Sequence, residues 1–344
     1  IIISNIMEYR KLQKIGGSSY SITLPKEWVE LKGLKEGSTI LIKFTENKDL
    51  IISTEEKEKR IVKSYIIKIE ESMDSELLLR KIISVYLAGV EKIIISSEEF
   101  INENIRSAIE FAKKLLIGIE IIEETGETII LQDLSKIDEL PMNKMLLRLF
   151  YMAEEMIKDT KRSVLNLDKK LAKEIIERDT QIDRIYLFIS KQFYQFLESS
   201  ENISKLNIKM SRAFNIRTIA KYLERICDHL EKIAYTIVKE NNIDLENKII
   251  EKFSEWFDEI IKIFENSIKS FNLGDEKLAN YTINSVNKLS FEIDNVIKDL
   301  EIKQSYIIFR LGEDLTRIAK YLSDICETSI NDLIMSKENL FTEE

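Results

Sequence analysis

The chain has 344 residues, of which 44% are apolar and 32% charged, and its formal net charge is −9. It exceeds the roughly 250 to 300 residues that one hydrophobic core supports, so more than one domain is expected. No apolar run approaches the ~20 residues of a membrane-spanning helix, which argues against membrane insertion. Two cysteines, Cys227 and Cys326, cannot build a disulfide framework, and a soluble protein of the reducing cytoplasm is expected.

The charges are distributed unevenly along the chain. Residues 1–48 carry eight basic and five acidic side chains, a net of +3, so the remainder carries −9 − 3 = −12. Such an asymmetry between segments indicates a basic recognition module attached to an acidic body.

The first predicted domain spans residues 8–54. YSITL and STILIKF alternate apolar and polar side chains, and LIIST follows the turn-prone stretch ENKD, a pattern typical of strands. PKEWVELKGL between them predicts one short helix, with Pro25 in its first turn and Gly33 just beyond its end. A unit this small buries little surface alone, which favours an intertwined dimer.

The second predicted domain, residues 62–135, alternates element types. The order βαβαββ runs from the strand KSYIIKI to a hairpin that turns at Thr125 and Gly126, and it predicts a small α/β sandwich. The segment has no phosphate-binding glycine loop and no clustered His or Cys. The interpretation favoured by the sequence is a spacer or a dimerisation domain.

The third part of the chain is predicted to be all-helical and internally repeated. IAKYLERICDH at Ile219 recurs 99 positions later as IAKYLSDICET at Ile318, and DKKLA at 168–172 recurs as DEKLA at 275–279. Asp168 and Asp275 are placed as helix N-caps. Two tandem three-helix bundles, residues 138–240 and 244–336, account for both repeats. Their expected helices cover 138–166, 168–198, 206–240, 245–272, 275–301 and 303–336.

Paired carboxylates form the strongest chemical signal in the first bundle. Asp179 and Asp183 are four residues apart on one predicted helix, and Glu224 and Asp228 are four apart on another. This spacing puts both carboxylates of a pair on one helix face, where they can share a metal ion. Because Glu224 and Asp228 fall outside the Ile/Leu seam, the site is expected on the bundle surface. His229, the single histidine, is either an added ligand or a surface or boundary residue.

The alternative interpretation of these acids is structural. Solvated carboxylates on helices commonly pair with basic neighbours, at about 0.3 to 0.5 kcal/mol for each i,i+4 pair. The basic residues available for such pairs are Arg178, Arg184, Arg225 and Lys232.

The sequence favours a protein without enzymatic activity. A triad-type nucleophile needs a general base, yet the chain has one histidine and no G-x-S-x-G turn. It also has no Walker loop and no dinucleotide fingerprint.

The stretch RKLQKIGGSSYSITLPKEWVELKGLKEGSTILIKF resembles the AbrB/SpoVT family of swapped-hairpin DNA-binding domains. It shares the basic first strand, the small-residue turn, Leu-Pro-Lys-Glu before a short helix, and Gly-Leu-x-x-Gly before a strand. The resemblance implies that two chains interlock their hairpins into one β-barrel and that basic residues near the first loop reach DNA. The positions that it implies are Arg10, Lys14 and Lys26, with Lys11, Ser18 and Ser19 beside them.

The helical part, residues 138–335, resembles PhoU, the phosphate-uptake regulator family. ERDTQIDRI and LERICDHLEKIA match that family's Glu/Asp-x-x-x-Asp motif in the first repeat. The resemblance implies a divalent or iron-type metal ion on Asp179, Asp183, Glu224 and Asp228. The second repeat departs from the motif. Glu327 and Asp294 would stand for two of the four carboxylates, with Asp324 nearby. Ser323 and Ser290 replace the other two, so an equivalent second cluster is not expected.

Together the resemblances imply a homodimeric transcriptional regulator that binds the promoters of phosphate-transport genes. The alternative is an adaptor that docks on a phosphate ABC transporter or a signalling protein, its barrel serving only for dimerisation. A third alternative is an AbrB-type antitoxin, although a two-bundle body is far larger than that role needs.

Overall fold

The computed structural model describes residues 8–44, 49–54, 63–135, 139–198, 208–240, 246–298 and 305–337. The chain divides into two compact units, residues 1–61 and 62–344. The predicted fold class is confirmed: strand hairpins come first, an α/β region follows, and helical bundles complete the chain. The finer division at residues 54, 135 and 240 stays a prediction.

The described residues of the N-terminal unit form two hairpins and one short helix. Strands β1 (Gln13–Ile15) and β2 (Ser19–Ser21) pair antiparallel around a turn in which Gly16 has a φ of 64°. Helix α1 (Lys26–Leu31) begins directly after Pro25, which is its N-cap, and β3 (Ile40–Phe44) pairs antiparallel with β4 (Leu50–Thr54). The expected turn residues 46–48 lie outside the described residues. None of the unit's described residues is buried, so one copy provides no core within those ranges.

The α/β region has the predicted βαβαββ order. Its four strands form one sheet in the spatial order first, second, fourth, third. The first two strands are parallel, and the other two pairings are antiparallel. Both helices are capped by side chains: the Oδ1 atoms of Asp74 and Asn102 accept hydrogen bonds from the backbone N–H groups of Leu77 and Ile105, three residues later. The elements are β5 (Ser64–Lys68), α2 (Ser75–Leu87), β6 (Lys92–Ser96), α3 (Glu103–Leu115), β7 (Ile119–Glu124) and β8 (Thr128–Asp133).

Six long helices occupy the described residues from 139 to the end of the chain, as the repeat predicts. Asp168 and Asp275 cap the helices that begin at Lys169 and Glu276, because their Oδ1 atoms accept hydrogen bonds at 3.0 Å from the amides of Leu171 and Leu278. The expected helix limits at 138, 206, 245, 301 and 303 lie outside the described residues. The helices are α4 (Met142–Asn166), α5 (Lys169–Glu198), α6 (Met210–Lys239), α7 (Asn247–Leu273), α8 (Glu276–Lys298) and α9 (Ser305–Ser336).

A continuous apolar core runs through the second unit. The repeated stripe of α6 and α9 supplies its centre, with Ile219 and Ile318 both fully buried. Cys227 and Cys326 are buried free thiols, as expected of small apolar side chains. The α/β region shares this core, since α2 and α3 contact α5. Within the described ranges, no helix is long and apolar enough to cross a membrane.

Candidate metal centre and candidate nucleic-acid interface

Helices α5 and α6 lie side by side in opposite directions. The Lys221 ammonium lies 4.6 Å from the centre of the Tyr186 ring, and the rings of Phe193 and Phe214 are 6.1 Å apart, so residue numbers rise on one helix as they fall on the other. The same direction of pairing, continued toward the N-terminus of α5, sets Asp179 and Asp183 opposite Asp228 and Glu224. The i,i+4 spacing therefore aims both carboxylate pairs at one groove.

The structure brings three of the four predicted ligands together. One carboxylate oxygen from each of Asp179, Asp183 and Asp228 lies within 4.8 Å of the others. Oxygen ligands about 2.0 to 2.6 Å from an ion lie up to about 5 Å from one another, so this spacing suits a shared cation. Glu224 is outside that group of three and lies beside it, where its charge raises the pKa of Asp183.

The expectation that the acids lie on the bundle surface is wrong for two of them. Asp179 and Glu224 are each only 8% exposed. A position outside the Ile/Leu seam of α6 still faces α5 where the two helices meet, and this contact covers Glu224. The site is a partly buried groove between two helices.

Burial and mutual repulsion change the acidity of the group. Burial, followed by the charges of Asp183, Glu231, Asp228 and Glu224, raises the pKa of Asp179 to about 8. Burial, with Glu224 and Asp228 next, raises the pKa of Asp183 to about 7. Desolvation disfavours a charged carboxylate, and a nearby like charge disfavours it further. The groove therefore favours any cation, a proton or a metal ion, that neutralises these carboxylates.

The polar atoms of the groove fit a metal ion. Asp179 Oδ1 and Glu224 Oε2 are buried, and neither accepts a hydrogen bond from any described residue. A buried carboxylate oxygen without a donor is costly, and coordination to a cation would satisfy it. The donor set is all oxygen, which suits hard ions such as Mg²⁺, Mn²⁺, Ca²⁺ or iron ions.

The alternative of solvated ion pairs holds for only one of the expected basic residues. Arg225 Nη1 lies 3.2 Å from Asp228 Oδ2, whereas Arg178 pairs with Asp159 of α4 at 2.7 Å. Arg184 donates to the Gln181 side chain at 3.2 Å. In the described ranges Lys232 has no carboxylate within ion-pair distance, although its charge lowers the pKa of Glu231.

Two residues near the groove were missed by the sequence analysis. Lys221 Nζ donates to Glu224 Oε1 at 2.7 Å, so it is a second cation beside the cluster, in addition to Arg225. Glu231 adds a fifth negative charge, and burial with Asp228 raises its pKa. Both lie three residues from a predicted ligand on α6, so helical spacing in the sequence was sufficient to predict that they lie near the site.

His229 lies away from the carboxylate group. Its Nδ1 is 2.7 Å from Asp314 Oδ1 on α9, and its ring centre is 5.9 Å from that of Tyr321. It therefore links the two bundles and is not one of the grouped ligands, which favours the second of the two interpretations given for it.

Where the structure describes the second bundle, no matching cluster occurs. Asp294 and Glu327, the expected equivalents of Asp183 and Asp228, are both exposed. Ser290 carries a buried hydroxyl with no hydrogen-bond partner among the described residues. No metal-competent group of three occurs in the described part of this bundle.

The six predicted DNA-contacting residues are all exposed on the N-terminal unit. Lys14 lies on β1 opposite Tyr20, and Ser18 and Ser19 follow the tight turn at Gly16. Arg10 precedes β1 and forms an ion pair with Glu8, and Lys26 Nζ lies 3.5 Å from Glu30 Oε1. Among the described residues Lys11 and Lys14 have no such carboxylate partner. The first hairpin and the segments beside it thus present exposed basic and hydroxyl groups.

Two family models match separate parts of this chain. A PhoU domain model matches residues 146–237, which include all four predicted metal ligands. A model described as "Antidote-toxin recognition MazE, bacterial antitoxin" matches residues 13–61. A curated relative, the phosphate-specific transport system accessory protein PhoU homolog 1 of Thermotoga maritima, is 20% identical over 196 residues, which are 53% of this chain and 82% of that protein.

Two solved structures are similar to part of the chain. PhoU from Pseudomonas aeruginosa aligns at 19% identity and a TM-score of 0.49, covering 58% of this chain and 98% of its own. The phosphate transport system regulatory protein PhoU from Streptococcus pneumoniae aligns at 20% identity and 0.43, covering 55% and 91%. On the family models, the chain joins a MazE/AbrB-like domain at its N-terminus to a PhoU domain in its first helical bundle.

Proposed function

We propose that this protein is a homodimeric, DNA-binding regulator of phosphate uptake. The observation that carries the proposal is the covalent combination of an exposed basic hairpin unit with a PhoU domain. The curated relative is, by its name, an accessory protein of phosphate-specific transport, and the proposal extends that role to this chain. The N-terminal unit would bring the helical bundles to the promoters of phosphate-transport genes.

The proposed dimer follows from the exposed apolar surface of the N-terminal unit. Large apolar side chains on both hairpins remain exposed in one copy, which is too much unpartnered surface for so small a unit. Two interlocked copies forming one barrel would bury this surface. The exposed residues are Tyr9, Leu12, Ile15, Tyr20, Ile22, Leu31, Ile42, Phe44, Leu50 and Ile51.

The PhoU bundle supplies the proposed sensing function. A metal ion held by Asp179, Asp183 and Asp228, with Glu224 beside them, would provide positive charge at a groove that otherwise favours protonation. Lys221 would hold Glu224 in place through its 2.7 Å hydrogen bond. Bound metal would stabilise the contact between α5 and α6.

A salt titration of DNA binding tests the proposal. The full-length dimer is expected to retard a phosphate-transport promoter fragment at low salt, and the logarithm of affinity should fall by about 0.9 for each phosphate contact per unit of log salt. The variant Arg10→Ala/Lys14→Ala should weaken binding and flatten this slope. The control Lys32→Ala/Lys35→Ala removes the same charge from the same unit at positions outside the proposed contacts. Equal effects of the two variants, or no binding at low salt, would contradict the proposal.

One observation favours an adaptor function as the alternative. Arg10 and Lys26 are already paired with Glu8 and Glu30, which reduces the positive potential of the hairpin unit. In that case the barrel would only dimerise the chain, and the helical bundles would dock on a transporter or a signalling protein. Stable partner capture by the Arg10→Ala/Lys14→Ala variant, without DNA binding by the unaltered protein, would select the adaptor.

A further inference from the structure

Strand β5 is an edge strand of the sheet in the α/β region, and its outer side is unpaired within the described residues. We propose that β5 pairs antiparallel with β5 of a second copy, around a two-fold axis at Ile66, and joins the two sheets into one. This inference rests on the dimer proposed above and adds a second interface to it.

The directions in which the backbone N–H and C=O groups of β5 point fit this pairing. The Lys63 carbonyl accepts from Lys92 N at 3.1 Å, and Ile69 N donates to the Ser96 carbonyl at 2.8 Å. In a parallel ladder alternate residues bond the neighbouring strand, so odd-numbered residues face β6. The backbone groups of Ser64, Ile66 and Lys68 therefore point to the open edge. A two-fold axis at Ile66 matches Ser64 with Lys68 and Ile66 with itself, and every outward group finds a partner.

Two large apolar side chains of this edge strand are exposed. Tyr65 is 52% exposed and Ile66 57%, although both lie in the middle of a strand. Tyr65 and Ile66 line a groove of about 510 Å³ with Leu77, Arg80 and Val85 of α2. Antiparallel pairing would place Tyr65 of the second copy opposite Ile67, on the helix side of the sheet and over this groove. A tyrosine ring there would contact Leu77 and approach the Arg80 guanidinium.

The opposite edge of the sheet is protected against the same pairing. Strand β7 carries Glu120, Glu123 and Glu124, and its register shifts between Ile121 and Glu123. Charged side chains and a bulge are the usual means of keeping an edge strand unpaired. Strand β5 has no register shift and no acidic side chain, and its single charged residue, Lys68, lies at its end. The contrast between the two edges favours β5 as an interface.

The strand that pairs with β5 is assigned to a second copy because the proposed N-terminal dimer would hold two β5 strands near each other. Residues 55–63 connect β4 to β5, a span of roughly 35 Å at full extension. If the N-terminal hairpins of two chains interlock, both β5 strands are tethered close together, which typically gives an effective concentration in the millimolar range. The pairing is also self-complementary, since it places Lys68 opposite Ser64 and no like charges opposite each other.

Cysteine cross-linking of the full-length protein tests the inference. A hydrogen-bonded antiparallel pair has Cα atoms about 5.5 Å apart, within the range that a disulfide spans. The variant Ile66→Cys is therefore expected to form covalent dimers in most chains on mild oxidation. Ile122→Cys, at an exposed position on the β7 edge, is the matched control and should stay monomeric on a denaturing gel. The native Cys227 and Cys326 are buried and should not contribute.

The outcomes separate this interface from the N-terminal one. If light scattering shows a dimer and Ile66→Cys does not cross-link, the β5 pairing is wrong and the proposed dimer stands. A monomeric protein would overturn both. As an independent measurement, the amides of Ser64, Ile66 and Lys68 should exchange hydrogen at least tenfold more slowly than expected for an open edge, and Ile66→Lys should abolish that protection. Fast exchange of these amides in the unaltered dimer would also overturn the pairing.

Discussion

Lys191 of α5 forms an ion pair with Asp133, the last residue of β8, and both side chains are almost completely buried. The Lys191 ammonium also donates to Ser135 Oγ at 2.8 Å and lies 4.5 Å from the centre of the Tyr86 ring. Burial lowers the pKa of Lys191, and Asp133 acts in the opposite direction. This charge pair joins the sheet of the α/β region to the helix that carries Asp179 and Asp183.

Removing one partner of this pair should destabilise the protein strongly. Lys191→Met keeps most of the side-chain volume but leaves the Asp133 carboxylate buried without its cation, which typically costs about 3 to 5 kcal/mol. We expect the free energy of unfolding to fall by that order in denaturant titrations. The double variant Lys191→Met/Asp133→Asn should recover a large part of the loss, because no charge then stays buried. A double variant as unstable as Lys191→Met would contradict this account.

A structural feature can be predicted from sequence when nearby residues determine it. The N-caps Asp168 and Asp275 and the buried stripe of α6 follow from residue spacing within one helix, and the βαβαββ order follows from the pattern of each element in turn. The burial of Asp179 and Glu224 does not, because it depends on which face of α5 meets α6. The partners of Arg178 and His229 likewise lie on other helices, 19 and 85 residues away in sequence, where spacing along one helix carries no information.

Metal content should depend on the carboxylate group of the first bundle. Asp183→Asn removes one ligand charge from the group of three, and we expect purified protein to lose most of its bound metal in elemental analysis. Glu224→Gln should have a smaller effect, since Glu224 lies beside the group. The control is Asp294→Asn, an exposed aspartate in the second bundle, which should leave metal content unchanged. Equal metal content in Asp183→Asn and in this control would contradict the assignment of this carboxylate group as the metal site.

The stability of the metal-free protein should decrease as pH rises. Folding raises the pKa of Asp179 to about 8 and that of Asp183 to about 7, so the folded chain binds more protons than the unfolded chain between about pH 4 and pH 8. Stability falls with pH wherever the folded state binds more protons. In chelator, Tm is therefore expected to be higher at pH 5.5 than at pH 8.5, and Asp179→Asn should reduce the difference.

Metal binding should reverse this dependence, because ligating carboxylates must lose their protons. The metal affinity is expected to rise as pH passes from about 6 to 8, and added metal should raise Tm most at the upper end. A metal-free Tm that rises with pH over the same range would contradict the burial of these carboxylates.

Replacing His229 should affect stability without affecting metal. His229→Ala leaves Asp314 on α9 without its 2.7 Å partner, and an unsatisfied buried polar group costs about 1 to 3 kcal/mol. We expect a loss of that size in the free energy of unfolding and an unchanged metal content. A large loss of metal in this variant would show that His229 is a ligand after all.

Dimerisation should depend on the exposed apolar face of the N-terminal unit. Ile42 and Phe44 lie two residues apart on β3, so their side chains share one face, and both are exposed in a single copy. Burying such a side chain contributes about 1.5 to 3 kcal/mol, so Ile42→Asp/Phe44→Asp removes on the order of 6 kcal/mol from a dimer of two chains. The dissociation constant should rise at least a thousandfold in sedimentation equilibrium, and DNA binding should weaken with it. Tyr281→Asp alters an aromatic residue on α8 that is 54% exposed, close to the 56% of Ile42, and should leave both properties unchanged. A double variant that still dimerises and binds DNA like the control would exclude a barrel built from these strands.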